Sequence, residues 1–271
     1  MKFSVNREMV LSTTGFVMLL VCLSTFSTRT AELRGYLAGS MPHSASASLP
    51  VGTIIPVKLD KTLSPNELQA GLTIEAQVTQ DVPLPDREKI RSKSRASGTI
   101  VSVTQAGGDA GVQVSLRFNQ IEDHGEIIPI TASLRALASF DAVQSALTPV
   151  NNSTGAFSSW ANTVLIGGDV RYGDSGEVLD RQKRKVGKGV TGGVLLHVQS
   201  GNGCEGPVNG DDRLQALWVF SSDACGVYGI PGVQISHDGN TSPIGIITLS
   251  FEKSGTKIDG SAGMLLRTVN P

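Results

Sequence analysis

Alternation of apolar and polar side chains is the feature of this sequence that most restricts its fold. Residues 72–79 show it clearly, since every second residue from Leu72 to Val78 is apolar and those between are polar. Side chains along a strand point alternately to its two faces, so this period of two predicts half-buried strands. The same period recurs at 54–59, 112–119, 128–134, 194–198, 247–251 and 262–266. Almost no stretch has a helical period, and we therefore predict an all-β fold built as barrels or sandwiches.

The strand-like segments fall into two groups along the chain. Residues 49–136 contain at least five of them in a meander-like order, and 163–271 contain the rest. Between the groups, residues 137–162 begin with a short segment of helical character and continue into a stretch rich in Asn, Ser and Gly. We therefore predict two β-rich modules, the first barrel-like, joined by a linker that carries a short helix.

The amino terminus has the pattern of an export signal. Lys2 and Arg7 precede an apolar core at 16–23, which is too short to span a bilayer comfortably. Small residues follow and favour cleavage after Ser27. We predict a signal peptide over 1–27, with an uncleaved membrane anchor as the alternative.

Residues 28–48 are mostly small and polar, which predicts a flexible spacer before the first folded module. Cleavage of the signal would remove Cys22 and leave Cys204 and Cys225 as an even pair in an oxidising compartment. We therefore predict a Cys204–Cys225 disulfide. The expected location is outside the cytoplasm, in the periplasm, in the outer envelope or as a secreted protein.

The charge balance argues against nucleic acid as a partner. The chain has 23 Lys and Arg residues against 24 Asp and Glu residues, for a formal net charge of −1. Proteins that bind nucleic acid need a positive field to attract its phosphates, and this chain has none overall. Contact with a membrane is expected only through the amino-terminal segment, if that segment is not cleaved.

One short motif resembles a catalytic sequence. Residues 173–176 read Gly-Asp-Ser-Gly, which is similar to the nucleophile turn of chymotrypsin-like serine proteases. Glu177 stands where that family has a further glycine, and neither His43 nor His124 has the surroundings of the family's catalytic base. We interpret the motif around Ser175 as a polar surface turn, and expect no catalytic residues and no enzyme activity.

Metal binding is predicted only as an alternative. The four histidines are scattered and no paired spacing supplies two zinc ligands from one turn. Oxygen ligands gather in two glycine-rich loops, although neither follows the EF-hand spacing. Asp169, Asp174 and Glu177 form the calcium set that we retain as an alternative to no metal. No cofactor is expected.

Basic and aromatic residues of the second module are candidates for a binding surface. Five cations occur within eight residues, a density that suits a phosphate, a lipid head group or an acidic glycan, with a solvated strand connection as the plainer interpretation. Two aromatic residues nearby in sequence add large contact area to such a surface. The predicted surface comprises Arg181, Lys183, Arg184, Lys185, Lys188, Trp218 and Tyr228.

Three segments of the first module carry a family resemblance. Residues 49–53 match an apolar-Pro-x-Gly-Thr start, and 76–82 and 94–100 follow with strand sequences of the expected type. These segments resemble the β-barrel domain of the outer-membrane-channel scaffold protein of conjugative and type IV secretion systems. The resemblance covers 49–134 and implies a barrel fold and an envelope location.

The carboxyl-terminal half resembles a different group. Residues 166–170 and 216–229 are similar to sequences in an uncharacterised family of exported bacterial proteins, in which the same two modules occur together. From the sequence we expect an exported cell-envelope protein that acts as a non-catalytic binding or assembly module, with an envelope protein or a glycan as partner. The alternatives are a secreted hydrolase whose site forms only in three dimensions and a membrane-anchored structural component. The sequence does not determine the oligomeric state.

Overall fold

The computed structural model describes residues 49–85, 88–105, 111–150, 162–173, 175–253 and 255–270. The predicted signal peptide and spacer, residues 1–48, lie outside this part of the chain. No helix within the described ranges is long and apolar enough to cross a membrane.

Strands dominate the described residues, which confirms the all-β prediction. One α-helix, α1, spans Phe140–Leu147, and a short 3-10 helix spans Val208–Gly210. The strands are, in chain order, β1 (Ile54–Leu59), β2 (Thr73–Val78), β3 (Val82–Pro83), β4 (Lys89–Ile90), β5 (Arg95–Gln105), β6 (Val112–Asp123), β7 (Glu126–Pro129), β8 (Ala132–Ala138), β9 (Asn162–Val164), β10 (Val170–Tyr172), β11 (Glu177–Leu179), β12 (Lys185–Val190), β13 (Gly193–His197), β14 (Leu214–Ala216), β15 (Gly226–Tyr228), β16 (Val233–His237), β17 (Ile247–Phe251) and β18 (Gly263–Thr268).

Ten of these strands form one sheet that nearly closes into a barrel. Their order is β15-β8-β18-β1-β2-β5-β6-β17-β16, and β7 pairs with the remaining part of β6. The two end strands, β15 and β16, lie close to each other. All pairs are antiparallel except β15 with β8, and the first strand of the chain, β1, pairs with the last, β18.

The pairing crosses the module boundary that we predicted at 137–162. Strand β8 pairs with β18 and β6 pairs with β17, so the barrel-like sheet takes strands from both sides of the linker. A period of two identifies a strand but carries no information about its partner, which explains why the sequence pattern does not show this pairing. The helix α1 lies within the predicted linker, and the Ser139 hydroxyl accepts a hydrogen bond from the Ala142 N–H at its start.

A second sheet covers one side of the barrel. Its six strands follow the order β14-β13-β12-β11-β10-β9, and β3 and β4 form a separate two-stranded sheet. Strands β8 and β18 are buried along their whole length, on both faces. On β1, Ile55 packs in the barrel interior, whereas Ile54 packs in a second core with Val194 and Phe220. The second core therefore fills the space between the outside of the barrel and the six-stranded sheet.

One buried amide side chain joins the barrel to the covering sheet. Gln80, which follows β2, donates from Nε2 to the Val194 carbonyl at 3.0 Å and accepts from the Trp218 N–H at 2.7 Å. Gly193 leaves the room for it, since a Cβ there would lie 2.1 Å from Gln80 Oε1. The Val194 carbonyl also accepts from the Leu217 N–H at 3.2 Å, so the Trp218 N–H is the backbone group that depends on this side chain.

We predict that Gln80→Leu lowers the free energy of unfolding by about 1–3 kcal/mol, because it leaves the buried Trp218 N–H without a partner. Urea denaturation followed by circular dichroism measures the change. The matched control is Gln69→Leu at an exposed position, which we expect to change stability by less than about 0.5 kcal/mol. Equal effects of the two substitutions would contradict the proposed role of Gln80.

Candidate functional site

A cleft of about 770 Å³ opens between α1 and the six-stranded sheet. Its size lies within the range of small-molecule sites in proteins. Its wall is formed by α1, by the ends of β9 and β10, by the β12–β13 hairpin and by the segment after β14. The described lining residues are Ala146, Leu147, Leu165, Arg171, Ser175, Lys188, Gly189, Val190, Thr191, Gly192, Gly193, Trp218 and Val219.

Two cations line this cleft. Arg171 lies opposite Val178 in the β10–β11 pair, so it shares the buried face of the sheet with that valine. Its Nη2 donates to Thr163 Oγ1 at 3.3 Å, while its Nε is buried without a hydrogen-bond partner in the described part of the chain. Lys188, on β12, is exposed and lies opposite Glu177 on β11 and Leu195 on β13, so its side chain leaves the other face of the sheet. Arg171 is therefore the lining cation whose side chain shares the face that borders the second core.

The basic run that we predicted as a binding surface is mostly engaged elsewhere. Arg181 donates to the Gly167 carbonyl, Arg184 pairs with Asp180 at 2.7 Å and Lys185 pairs with Glu177 at 2.7 Å. Lys183 occupies the turn between β11 and β12, at a φ of 63°. Of the five predicted cations, Lys188 is the one among the lining residues of the cleft, although its side chain leaves the outer face of β12.

The two predicted aromatic residues are not an exposed pair. Trp218 is only 7% exposed and packs in the second core, where a Cβ on Gly263 would lie 3.0 Å from its ring. Its φ of 55° is unusual for a bulky residue, and the hydrogen bond from its N–H to Gln80 helps to hold it there. Tyr228 is half-buried, and its hydroxyl accepts a hydrogen bond from the Cys225 N–H at 3.0 Å.

Sequence reasoning missed Arg171 as a cleft residue. It stands in a strand of three residues between Val170 and Tyr172, where neither spacing nor charge density distinguishes it. The cleft also contains Ser175 from the protease-like motif, whereas no described histidine lines it, and Asp174 lies outside the described residues. A serine needs an adjacent base to act as a nucleophile, so the described lining does not supply a serine–histidine pair.

A serine, an aspartate and a histidine do meet at one end of the barrel, in a different arrangement. Asp123 accepts hydrogen bonds from Ser94 Oγ at 2.8 Å and from His124 Nδ1 at 2.7 Å. In a catalytic triad the histidine stands between the other two and contacts the serine. Here the carboxylate is in the middle, so the cluster anchors the β6–β7 turn and does not activate Ser94.

The charge state of Asp123 depends on these contacts. Burial favours the neutral form, but the hydrogen bonds from His124 and Ser94 outweigh it and lower the pKa of Asp123 below its usual value. A carboxyl group with a lowered pKa in the folded state stabilises the fold above its unfolded pKa, and this contribution is lost as the pH falls through the folded value.

The predicted calcium ligands do not gather in the described structure. Asp169 is 2% exposed and accepts hydrogen bonds from the Ser222 N–H and hydroxyl at 2.8 Å, and burial raises its pKa. Glu177 pairs with Lys185, and Asp174 is not among the described residues. Within the described ranges, no three His, Cys, Asp or Glu side chains are close enough to hold a metal ion.

The predicted disulfide between Cys204 and Cys225 is present. It joins two loops over the outer face of β8 and β18, and closing a loop with a sequence separation of 21 stabilises the fold by about 3 kcal/mol in the chain-entropy model.

Next to the disulfide, two buried arginines donate hydrogen bonds to loop carbonyls. Arg135 donates to Gln199 at 2.6 Å and to Glu205 at 2.5 Å, and Arg267 donates to Gly206 at 2.7 Å.

These arginines form a like-charge pair. Burial and the neighbouring Arg267 guanidinium lower the pKa of Arg135 to about 10. Neither guanidinium forms an ion pair with a carboxylate of the described chain, so the carbonyl oxygens of the disulfide loop solvate both. We interpret this cluster as structural, because the Nη donors of both arginines are directed at the protein's own backbone.

A scan of protein-family models and a search of curated proteins find no match to this chain.

We predict that Asp123→Asn removes about 1 kcal/mol of stability at neutral pH, where charge-assisted hydrogen bonds to the carboxylate are lost. The difference from the unsubstituted protein should shrink as the pH falls below about 4, since protonation then removes the same charge from Asp123. Urea denaturation at several pH values measures it. Asp60→Asn, at an exposed position, is the control; a pH-independent difference for Asp123→Asn would contradict the assignment.

Proposed function

We propose that this protein is an exported cell-envelope protein that acts as a non-catalytic binding module, and that its cleft takes an anionic ligand. The observation that carries the proposal is Arg171, whose buried Nε has no described hydrogen-bond partner, in a cleft whose described lining includes no carboxylate. An anion beside this guanidinium faces a cation and no described competing negative side chain.

The local geometry supports an oxyanion such as a carboxylate, a phosphate or a sulfate. The buried Nε of Arg171 offers a donor with no described partner, and a guanidinium binds oxyanions through two parallel N–H groups. Ser175 and Thr191 add hydroxyl groups to the same lining. These groups bind and orient an anion without a proton-transfer partner.

The proposed location is supported by the amino-terminal pattern and by the disulfide. A basic start, a short apolar core and small residues before Thr28 are typical of an export signal, and a disulfide suits an oxidising compartment. The barrel-like sheet agrees with the fold that the secretion-scaffold resemblance implies, although β15 to β18 come from outside residues 49–134. An assembly role with an envelope protein is part of the same proposal.

We predict that inorganic phosphate binds in the cleft and that Arg171→Gln weakens this binding by about tenfold, since a hydrogen bond to a charged group contributes about 1.5 kcal/mol. Nuclear magnetic resonance titration of the purified protein measures it, with the Arg171 Nε–H and the Gly189 and Gly193 amides as reporters. We expect these signals to shift saturably with phosphate concentration.

Arg117→Gln is the matched control, because it removes an exposed arginine that does not line the cleft. It should leave phosphate binding unchanged. Equal weakening by the two substitutions, or shifts centred on the β11–β12 turn, would contradict a site in the cleft. Hydrolysis of a nitrophenyl ester that Ser175→Ala abolishes would instead support the hydrolase alternative and overturn the non-catalytic proposal.

Export has its own test. When the full chain is expressed with a functional secretion pathway, amino-terminal sequencing of the protein outside the cytoplasm should begin at Thr28. A chain that retains Met1 and stays with the membrane would support the anchored alternative and contradict cleavage.

A further inference from the structure

One row of hydroxyl and amide side chains crosses the outer face of the barrel-like sheet. Strands β5, β6, β17 and β16 are neighbours there, and alternate residues along them belong to the barrel core. The strand registers place one outward residue of each strand opposite the next. This polar row consists of Thr104, Gln113, Ser250 and Gln234. Neighbouring strands lie about 4.8 Å apart, so the row is about 14 Å long.

A groove of about 370 Å³ follows the polar row. Its volume lies at the lower end of the range of small-molecule sites in proteins. The described lining consists of the four residues of the row together with Gly111, Val112, Phe251 and Glu252.

The hydrogen-bonding groups of the polar row are free to bind a ligand. Three of its side chains are exposed, and none of the four forms a hydrogen bond with another described residue. The next outward row differs, because Ser115 Oγ and Thr248 Oγ1 lie 2.9 Å apart and bind each other. The groove therefore follows the row whose donors and acceptors the described chain leaves unused.

The charge of the groove selects against anions. Glu252 is the one ionisable residue of the described lining, which includes no cation. It stands between two glycines, since its N–H donates to the Gly232 carbonyl and a Cβ on Gly111 would lie 3.1 Å from its Cα. Neither glycine has a side chain to cover the carboxylate. This carboxylate repels an anion but accepts hydrogen bonds from neutral hydroxyl groups.

From these observations we infer that the groove binds a neutral oligosaccharide through Gln113, Gln234 and Glu252. Sugar hydroxyls both donate and accept hydrogen bonds, and an amide offers both functions in one group. The carboxylate accepts from two neighbouring hydroxyls. A row of about 14 Å contacts more than one sugar ring, and its strands hold the side chains at fixed spacing. The inference is independent of the proposed anion site, because groove and cleft share no described lining residue.

The experiment is a nuclear magnetic resonance titration of the purified protein, with the side-chain amides of Gln113 and Gln234 as reporters. The probes are cellotetraose, maltotetraose and tetra-N-acetylchitotetraose, each compared with its monosaccharide. We expect at least one tetrasaccharide to shift both reporters saturably and to bind at least fivefold more tightly than its monosaccharide. Its affinity should be the same at low and high ionic strength, because no charged group of the ligand takes part.

A tetrasaccharide of hyaluronan tests the selection against anions. It is similar in length but carries carboxylates, which Glu252 repels. We expect it to bind at least tenfold more weakly than the preferred neutral tetrasaccharide. Equal affinities would overturn the inference.

Gln113→Ala and Gln234→Ala test the polar row, with Gln69→Ala as the matched control at an exposed position outside the groove. Each of the first two should weaken the preferred tetrasaccharide by about fivefold, which corresponds to one hydrogen bond between neutral groups. Gln69→Ala should leave its affinity unchanged. The titrations with the unsubstituted protein test the inference even if a variant does not fold, which circular dichroism shows.

The outcomes separate this inference from the proposed function. Arg171→Gln should weaken phosphate in the cleft and leave the tetrasaccharide unaffected. Absence of binding by all three neutral tetrasaccharides, or shifts centred on the cleft, would overturn the oligosaccharide site and leave the anion site standing. Reporter signals that shift when the protein alone is diluted would show contact between copies of the chain, and would also overturn the inference.

Discussion

Strands β8, β18 and β1 are neighbours in the barrel and bury side chains on both of their faces. The rest of the structure depends on this constraint. Along β8, Leu137 packs inside the barrel while Ala136 and Ala138 pack outside it, and on β18 Leu265 also faces outwards. A barrel alone would expose these outward residues to water. The six-stranded sheet and α1 cover them, and the cleft lies where this covering layer meets the helix.

Burial on the outer face also explains the disulfide loop. Arg135 is the extra residue of a β-bulge between β8 and β18, and with Arg267 it points from the barrel into the covering layer. A buried charge is costly unless it is hydrogen-bonded, and the carbonyls of Gln199, Glu205 and Gly206, on either side of Cys204, accept hydrogen bonds from the two arginines. The disulfide fixes this loop in place. The other half-cystine, Cys225, ends the segment that begins near Trp218, so one stretch of chain links the cleft to the arginine pair.

Local features of this fold could be predicted from the sequence, while its pairings could not. The period of two located β1, β2, β6, β8, β13, β17 and β18 but not the short strands β9 to β12. The predicted loss of Cys22 with a signal peptide indicated the disulfide. The partners of β17 and β18 were not predictable, because strand pairing depends on contacts between residues distant in sequence. Whether Trp218 is exposed or buried could not be predicted, because this depends on the distant residues that cover it. A lone arginine within each of the apolar runs 132–138 and 263–268 was a usable sign of a buried polar contact, although not of its partner.

The most direct test of this account is whether the barrel and its covering sheet unfold together. In a Trp160→Phe variant, Trp218 is the one remaining tryptophan and its fluorescence reports on the second core. Urea denaturation followed by this fluorescence and by far-ultraviolet circular dichroism should give coincident transitions, because β1, β8 and β18 belong to both cores. A fluorescence transition well below the loss of β-structure would contradict the account, since it would show that the barrel persists without its cover.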